Sequence, residues 1–348
     1  MPDRSPRALG LLSGGLDSTL AARMVADQGV EVLGLHFSTG FCVADRHRLI
    51  GNVNNPGKPY RNDALHAGAQ LHTPVEIVDI REQYLQDVVL RPRHGYGTGM
   101  NPCIDCRIYM LARTHEILRE REFDFVFTGE VLGQRPLSQR RVPMQQIASE
   151  SGLHGLLLRP LSARLMPPTI PEQRGWVDRE QLGAMSGRSR APQIELAERL
   201  GVIDYPQPSG GCCTLPDEHF SRKLRDLLAH QGEHPNPDQL MLLKLGRHFR
   251  ISPEAKLIVG RTADENELLA RFLEGRGHLE VDGHPGAMTL LEGAPSAADL
   301  ELACRIAARY SQGRTSDRVR VRWRQGKHDG TLSVSPQVAA AELERMRI

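Results

Sequence analysis

Residues 8–18 read Ala-Leu-Gly-Leu-Leu-Ser-Gly-Gly-Leu-Asp-Ser, and this stretch decides the fold class. The apolar run 8–12 predicts a buried strand that ends at a Ser-Gly-Gly turn. Apolar residues then recur at helical spacing from Leu20 up to Gly29, a residue typical of a helix end. Residues 30–37 predict a second strand. Strand, tight turn, helix and strand form a βαβ unit, which predicts a parallel sheet covered by helices.

The same pattern continues along the chain. Residues 74–80 and 124–129 predict further strands, and 108–121 predict a helix between them. The fold class is therefore predicted as α/β with a parallel sheet. A proline-rich linker divides the chain into a domain over 1–235 and a second domain over 239–348. The second part alternates short strands and helices, which predicts a smaller α+β domain.

Composition excludes several classes of protein. The 348 residues are 40% apolar and 25% charged with a net charge of +2, as in an ordinary globular protein. The longest apolar run is too short to span a membrane, so no membrane partner is expected. The polar N-terminus does not resemble a secretory signal, and a cytoplasmic location is expected. Six cysteines are too few for a disulfide scaffold, which favours metal ligands or reactive thiols.

The turn after the first strand has the features of a phosphate-binding loop. Gly14 and Gly15 allow a tight turn and a close backbone approach to a ligand. The backbone N–H groups at the helix start form an anion cradle, to which Ser13 and Ser18 add hydroxyls. Asp17 fits such a site if Mg²⁺ lies between its carboxylate and the anion. The alternative is a plain turn in which Ser13 or Asp17 caps the helix.

The sequence Ser-Gly-Gly-x-Asp-Ser after the first strand resembles the PP-loop of the ATP pyrophosphatase superfamily. No Gly-Lys-Ser/Thr follows the glycines, which argues against a Walker-type loop. The resemblance implies a PP-loop domain with ATP and Mg²⁺ as cofactors. It also implies a reaction in which a carbonyl oxygen attacks the α-phosphate, pyrophosphate leaves and a nucleophile then displaces AMP. Asp17 would be a catalytic residue of that reaction.

Residues 128–139, Thr-Gly-Glu-Val-Leu-Gly-Gln-Arg-Pro-Leu-Ser-Gln, resemble the catalytic domain of tRNA 4-thiouridine synthases. They follow a predicted strand, at the sheet edge where the PP-loop also opens. Glu130, Gln134 and Gln139 would orient the nucleotide or the acceptor base. The alternative is a polar loop whose amides satisfy neighbouring backbone groups. Together the two resemblances imply that ATP binds Ser13, Gly14, Gly15, Asp17, Ser18, His36, Phe37, Thr128, Gly129 and Gln134.

Four cysteines lie in two pairs. Cys103 and Cys106 form a Cys-x-x-Cys pair that opens a predicted helix, and Cys212 and Cys213 follow a Ser-Gly-Gly run at 209–211. A Cys-x-x-Cys pair binds a metal or acts as a redox dithiol. Resemblance to the iron–sulfur-dependent branch of tRNA thiolation enzymes implies a [4Fe–4S] cluster on Cys103, Cys106 and Cys212, with Cys213 as a catalytic thiol.

Several alternatives for these four cysteines stay open. The third ligand of the cluster is either Cys212 or Cys213, and the metal is either an iron–sulfur cluster or zinc. A dithiol or persulfide relay without any metal is a further alternative. Of the remaining cysteines, Cys42 is predicted as an ordinary loop thiol. Cys304 is predicted as a core residue, because apolar residues flank it at helical spacing.

Residues 305–327 carry eight cationic side chains against the single acidic Asp317. Within this stretch, 318–324 read Arg-Val-Arg-Val-Arg-Trp-Arg, and a period of two predicts a strand with its arginines on one face. Such a face suits RNA phosphates, and Trp323 adds a stacking surface. The alternative is a solvated edge strand that resists aggregation. The predicted RNA-binding residues are Arg318, Arg320, Arg322 and Arg324.

Residues 246–266 resemble a small RNA-associated domain of ribosome quality-control factors. The resemblances together imply ATP-dependent tRNA thiolation, in which a nucleobase carbonyl, above all that of uridine, is adenylated and its oxygen replaced by sulfur. The partners would be tRNA and a sulfur donor, either sulfide or a persulfide carrier, and a homodimer is left open. Neither the RNA-binding region that precedes the PP-loop in 4-thiouridine synthases nor a rhodanese-type domain is evident, so acceptor recognition and sulfur delivery are expected to differ.

Two other functions agree with the same residues. The first is ATP-dependent sulfuration or amidation of a small molecule, which would release pyrophosphate without RNA. The second is a regulator that binds ATP and RNA without turnover, which would bind ATP and form no AMP. The intact aspartate and glycines of the loop favour an enzyme over the regulator.

Overall fold

The computed structural model describes residues 4–43, 61–206 and 211–348. These residues form two compact units, which divide between Pro216 and Asp217. The sequence placed the division later, at 235–239. The helix that follows Asp217 belongs to the second unit, where its Lys223 Nζ donates hydrogen bonds to the carbonyl oxygens of Leu243 and Gly246 at 3.2 and 3.1 Å.

The first unit is built on a five-stranded parallel sheet with the order β3-β2-β1-β4-β5. The predicted α/β architecture is therefore confirmed. A π-helical turn, Leu85–Val89, extends α3. The elements are β1 (Arg7–Leu11), α1 (Leu16–Ala26), β2 (Glu31–Ser38), α2 (Asp63–Gln70), β3 (Val75–Asp79), α3 (Arg81–Tyr84), α4 (Cys103–Glu120), β4 (Phe125–Thr128), α5 (Arg141–Glu150), β5 (Leu157–Leu158), α6 (Ile170–Gln173) and α7 (Ala191–Leu200).

The central strands β1 and β4 are mostly apolar because helices cover both faces of a parallel sheet. Leu9, Phe125 and Phe127 are completely buried. The chain adds β2 and β3 on one side of β1 and then returns to place β4 on the other side. The carboxyl ends of β1 and β4 therefore form a topological switch point, the place where open α/β sheets bind their ligands.

The second unit contains a six-stranded antiparallel sheet with the order β11-β10-β8-β9-β7-β6. This arrangement confirms the predicted smaller α+β domain. Cys304 is fully buried among the core residues of α11, as its spacing predicted. The elements are α8 (Glu218–Gln231), α9 (Pro237–Leu242), β6 (Arg247–Ser252), β7 (Ala255–Val259), α10 (Ala263–Leu269), β8 (Gly277–Val281), β9 (Thr289–Gly293), α11 (Ala297–Arg309), β10 (Val319–Gln325), β11 (His328–Val334) and α12 (Ala340–Met346).

Between α6 and α7 the chain forms a 3₁₀ turn, Arg179–Gln181. The residues after this turn do not continue a helix. The backbone N–H groups of Gly183 and Met185 instead donate hydrogen bonds to the carbonyl oxygens of Pro160 and Leu161, respectively. None of the described helices is both long and apolar enough to span a membrane.

Candidate active site

The turn between β1 and α1 has the geometry of a phosphate loop. Gly14 has a φ of +78°, and a Cβ there would lie 2.2 Å from the backbone carbon of Asp63, so only glycine fits. The Ser18 hydroxyl accepts from the Ser13 N–H at 3.3 Å and donates to the carbonyl oxygen of Gly15 at 2.9 Å. The loop and the start of an 11-residue helix together provide an anion cradle.

Asp17 lies in the first turn of α1, and its two carboxylate oxygens differ in their hydrogen bonding. Gln134 Nε2 donates to Oδ2 at 3.0 Å. Oδ1 is buried and accepts no hydrogen bond from any described residue. A carboxylate oxygen beside a phosphate cradle is the ligand that Mg²⁺ takes when it binds a nucleotide. The donors at this edge therefore fit Mg²⁺ with ATP.

The end of β4 packs directly against the phosphate loop. A Cβ on Gly129 would lie 2.5 Å from the carbonyl carbon of Asp17 and from the backbone nitrogen of Ser18. Any side chain at position 129 would push β4 away from α1. The Thr128 hydroxyl donates to Glu130 Oε2 at 3.2 Å, so the two residues on either side of Gly129 are also fixed.

The end of β2 lies next to the same edge. His36 Nδ1 is 2.9 Å from the carbonyl oxygen of Leu12, the last residue before the phosphate loop. Phe37 is buried within β2. The ATP-binding residues predicted from β1, α1 and β4 are therefore gathered at one edge, with His36 beside them, and their contacts with ATP stay a prediction.

Glu130 joins this edge to the cysteines through a buried ion network. Its carboxylate is 3.0 Å from Arg159 Nε and 3.5 Å from Arg107 Nε. Burial alone would raise the pKa of Glu130, but Arg159 and Arg107 outweigh it and hold the pKa below its usual value. Burial would lower the pKa of Arg107, but Glu130 and the neighbouring thiols raise it. Arg107 directly follows Cys106, so the network ends beside the thiols.

The structure gathers Cys103, Cys106, Cys212 and Cys213, here called the cysteine group. Cys103 and Cys106 lie in the first turn of α4. The charges of Cys103 and Cys212 both act on the Cys106 thiol, and Cys213 is hydrogen-bonded to Cys212. Arg135 Nη1 lies 4.0 Å from Cys212 Sγ. The two cysteine pairs, far apart in sequence, therefore meet in the first unit.

The thiols of the cysteine group differ in acidity. Burial raises the pKa of Cys106 to about 12, against the opposing charge of Arg107. Burial also raises the pKa of Cys103. The hydrogen bond from Cys213 holds the pKa of Cys212 well below its usual value, with help from Arg107 and Arg135. That same hydrogen bond raises the pKa of Cys213, so the two adjacent thiols share one proton.

The predicted [4Fe–4S] cluster needs three thiolates arranged around one position. Within residues 4–43, 61–206 and 211–348, no group of three or more His, Cys, Asp or Glu side chains is arranged to hold a metal ion. The thiols are close together but do not fit a cluster in this arrangement. The cluster, zinc and the choice of third ligand therefore stay predictions.

The second unit carries the predicted arginine face, defined by Arg318, Arg320, Arg322 and Arg324. All four side chains are exposed, while the intervening Val319 and Val321 are buried. The predicted one-sided strand is therefore confirmed. Two of its arginines also pair with one acidic side chain that directly follows the neighbouring strand β8: Arg322 Nε lies 2.5 Å and Arg320 Nε 3.8 Å from Asp282.

Comparisons with known proteins agree with both units. A sequence profile described as a tRNA methyl transferase HUP domain matches residues 7–148, and one described as an NFACT protein RNA binding domain matches residues 246–346. The probable mitochondrial tRNA-specific 2-thiouridylase 1 of Caenorhabditis elegans is 30% identical over 291 residues, which cover 79% of this chain and 70% of that protein. The chain belongs to the tRNA-specific 2-thiouridylase family.

Another member of this family matches a smaller part of the chain. The tRNA-specific 2-thiouridylase MnmA of Cytophaga hutchinsonii is 33% identical over 144 residues, 39% of this chain and 38% of that protein. The chain thus spans little more than a third of the length of that relative. A solved 4-thiouridine synthetase–RNA complex with bound ATP matches 57% of this chain and 52% of that one, at 18% identity and a TM-score of 0.34. The profile match over residues 7–148 and the 2-thiouridylase relative confirm the predicted membership of the PP-loop thiouridine synthase superfamily.

Sequence reasoning missed four residues of the site. Arg107, Arg135 and Tyr84 surround the cysteine group, and the Tyr84 hydroxyl bonds to Cys106. Cys42, predicted as an ordinary loop thiol, pairs through its backbone with Cys213. A signal for Cys42 was present, because it follows β2 at the sheet edge where the phosphate loop opens. No sequence pattern indicated Tyr84, because it lies far from Cys106 along the chain and shares no motif with it.

Some predicted features lie outside the described residues. These are Ser209 and Gly210 of the run before Cys212. Gly211 is described and exposed. All contacts reported for the cysteine group are between residues of the described ranges 4–43, 61–206 and 211–348.

Proposed function

We propose that this protein is an ATP-dependent tRNA sulfurtransferase that replaces a carbonyl oxygen of uridine with sulfur and forms AMP and pyrophosphate. What carries the proposal is the position of residues 128–135. Gly129 and Gln134 contact Asp17 of the phosphate loop. Glu130 and Arg135 reach the cysteine group, one through Arg107 and the other directly. A single short segment thus connects a nucleotide cradle to a set of thiols.

The first half of the reaction activates the base. The N–H groups of the phosphate loop bind the phosphates of ATP, and Asp17 Oδ1 would hold Mg²⁺, which would supply neutralisation of phosphate charge. The uridine carbonyl oxygen attacks the α-phosphorus, the bond to the β-phosphate oxygen breaks, and pyrophosphate leaves. The chain contributes position and charge: Gln134 orients Asp17, and Gly129 keeps β4 against α1.

The second half of the reaction delivers sulfur. A thiolate of the Cys212–Cys213 pair attacks the outer sulfur of a donor persulfide, which forms the protein persulfide and releases the donor as a thiol. Cys213 keeps the proton and donates the hydrogen bond that lowers the pKa of Cys212, so we assign the persulfide to Cys212. Its outer sulfur attacks the activated carbon, and AMP leaves with the original carbonyl oxygen. Arg107 and Arg135 provide positive charge beside these anions.

The second unit is proposed to bind the RNA. Its profile match is to a domain named for RNA binding, and its arginine face is exposed. Arginines attract phosphates without reading sequence, so this face would supply affinity, while the choice of uridine is made at the phosphate-loop edge. The names of the relatives point to tRNA as the nucleic acid and to uridine as the base.

The test uses full-length protein with ATP, a persulfide or sulfide donor and bulk tRNA. We expect AMP and thiouridine in equal amounts, both dependent on RNA, with nucleoside mass spectrometry separating 2-thiouridine from 4-thiouridine. Asp17→Asn should abolish both products. Asp27→Asn, directly after the last residue of the same helix but exposed and paired with Arg23 at 2.8 Å, is the matched control and should leave both unchanged.

Other outcomes would contradict the proposal. Formation of AMP with a small-molecule acceptor and no RNA would instead support sulfuration or amidation of a small molecule. Binding of ATP with no AMP under any condition would support a regulator. A visible absorption band in anaerobically purified protein that is lost in Cys103→Ala would favour the [4Fe–4S] cluster over a metal-free relay.

A further inference from the structure

Two stretches of the first unit, residues 131–149 and 181–194, carry arginines without acidic neighbours. Together they contain five arginines and neither Asp nor Glu. Arg140 and Arg188, one from each stretch, are exposed. In the part of the chain that the structure describes, neither of these two side chains forms an ion pair or a hydrogen bond. Positive charge that no neighbouring carboxylate balances attracts anions.

Backbone hydrogen bonds on both sides of residues 132–133 bring the two stretches together. The Gly187 N–H donates to the carbonyl oxygen of residue 132 at 2.8 Å, and the carbonyl oxygen of Gln139 accepts from the N–H of residue 133 at 2.6 Å. Arg188 directly follows Gly187, and Arg140 directly follows Gln139. Both arginines therefore begin beside the segment that joins the nucleotide cradle to the cysteine group.

Two buried polar atoms lie next to Arg140 in sequence without a partner. The Ser138 hydroxyl oxygen and Gln139 Oε1 have no hydrogen-bond partner among the residues of the described ranges, and their residues are 1% and 3% exposed. A buried polar atom without a partner needs an explanation, and a ligand that binds beside it supplies one. The helix that follows, α5, begins without a side-chain cap, so its first N–H groups add positive potential at Arg140.

An exposed aromatic ring lies beside the same segment. Leu137 packs on Gly97, because a Cβ at position 97 would lie 2.4 Å from Leu137 Cδ1. The neighbouring Tyr96 is 43% exposed, and its hydroxyl donates to the carbonyl oxygen of Val89 at 2.5 Å. This hydrogen bond fixes the end of the ring and leaves much of the side chain accessible. The loop that carries Tyr96 leads directly into α4 and the cysteine group.

We propose that Tyr96, Arg140 and Arg188 form a surface, here called the strand surface, that holds the RNA strand next to the target uridine. This role rests on the proposed function. The two arginines bind backbone phosphates, and the ring of Tyr96 stacks on a neighbouring base. An unpaired nucleotide suits this surface, because its base can be turned out of the strand to stack on an aromatic side chain. The target uridine then lies beside residues 132–135.

The observations favour RNA over an acidic protein as the partner of this surface. A stacking ring together with arginines that have no acidic neighbours matches a chain of bases and phosphates. Leu137 and Val142 are also exposed, at 40% and 71%, which makes an acidic sulfur carrier the competing partner. Single exposed apolar residues are common on protein surfaces, however, whereas a protein interface is built around an apolar core.

The first experiment measures pyrophosphate release by the full-length protein over a range of tRNA and ATP concentrations. Combining Arg140→Gln with Arg188→Gln should raise the KM for tRNA about tenfold, because phosphate contacts are lost. The kcat and the KM for ATP should stay unchanged, because the nucleotide cradle is intact. Arg199→Gln is the matched control, since Arg199 is exposed in the last turn of α7, and it should change none of these values. An unchanged KM for tRNA, or a higher KM for ATP, would overturn the proposal.

The second experiment separates the ring of Tyr96 from its hydroxyl. Tyr96→Phe keeps the ring and loses the hydrogen bond to Val89, whereas Tyr96→Leu keeps an apolar side chain and loses the ring. We expect the KM for tRNA to stay near the wild-type value in Tyr96→Phe and to rise about tenfold in Tyr96→Leu. Equal effects in the two variants would contradict stacking, because the hydroxyl and not the ring would then matter.

The third experiment locates the RNA without turnover and so separates this proposal from the proposed function. Full-length protein is irradiated with ultraviolet light in the presence of tRNA, and peptides linked to RNA are identified by mass spectrometry. We expect a link in the peptide that contains Tyr96, and its loss in Tyr96→Leu. Links confined to the second unit would overturn the strand surface and leave the proposed function intact. Absence of RNA-dependent pyrophosphate release from the wild type would sink the proposed function, whatever the links show.

The competing partner is tested with two sulfur sources. If RNA is the partner, the combined arginine variant should lose thiouridine formation equally with inorganic sulfide and with a protein persulfide donor at limiting tRNA. Loss with the protein donor alone, at an unchanged KM for tRNA, would assign the surface to a sulfur carrier and overturn the proposal.

Discussion

Charged side chains are buried in one region of the molecule and exposed in another. The first region is the phosphate-loop edge of the first unit, and the second is the arginine face of the second unit. Glu130 and Arg159 are 2% and 4% exposed and satisfy each other inside the protein. Arg320 and Arg322 are 73% and 58% exposed and project from one strand. Buried charges hold a site that is assembled from distant segments, whereas exposed charges are available to a polyanion. The difference separates residues that build a site from residues that attract a substrate.

The largest effect is expected from breaking the buried network. Glu130→Gln leaves the buried Arg159 and the half-buried Arg107 without their counter-charge, which should lower the free energy of unfolding by about 3–5 kcal/mol. The matched control is Glu280→Gln, which breaks the exposed pair with Arg322 and should cost about 1 kcal/mol or less. Urea denaturation measures both. Equal losses in the two variants would contradict the contrast between buried and exposed charge.

The next largest effect concerns the close packing of the phosphate loop. Gly14→Ala combines a left-handed backbone with a clash against Asp63, and should cost about 2–3 kcal/mol and weaken ATP binding. Gly29 has nearly the same φ, +79°, but open space around it. Gly29→Ala should therefore cost only about 1 kcal/mol and leave ATP affinity unchanged. Urea denaturation and ATP titration calorimetry measure both effects in Gly14→Ala and Gly29→Ala. Similar ATP affinity in the two variants would contradict the claim that the phosphate loop binds ATP.

The arginine face should affect RNA binding and not folding. Replacing its four arginines by glutamine should reduce the slope of log affinity against log salt by roughly 1 for each arginine that contacts a phosphate. The free energy of unfolding should stay nearly the same because all four side chains are exposed. Arg23→Gln in the first unit is the control for loss of an exposed cation. If the fourfold variant has the same salt slope as the wild type, the arginine face does not bind RNA phosphates.

The smallest effect is a pH dependence at His94. The hydrogen bond with Asp105 raises the pKa of His94 above 6.5, against an opposing contribution from burial, and Glu150 adds to the rise. The protonated form is thus favoured in the folded state. Its stabilisation is complete below pH 6.5 and is lost as pH rises through the folded-state pKa. Urea midpoints of His94→Asn and the wild type should therefore differ more at pH 5.5 than at pH 8.5; a constant difference would contradict this assignment.

Sequence patterns predicted what depends on neighbours along the chain. The period of two over 318–324 predicted the exposed arginines, and the run 8–18 predicted the strand, turn and helix of the phosphate loop. Contacts between distant segments could not be predicted. The residues around Cys42 do not indicate its pairing with Cys213, and those around Glu130 do not indicate its ion pair with Arg159. The Cys-x-x-Cys spacing indicated a metal or a dithiol equally, because spacing does not determine how four thiols point.

The central claim is that ATP at the phosphate loop activates a uridine carbonyl for attack by sulfur from the cysteine group. The most direct measurement follows that oxygen, using tRNA whose uridine carbonyl carries oxygen-18. We predict that the AMP released with each thiouridine contains the label and that no oxygen from solvent water enters it. Unlabelled AMP, or AMP that takes its new oxygen from the solvent while thiouridine forms, would contradict the account.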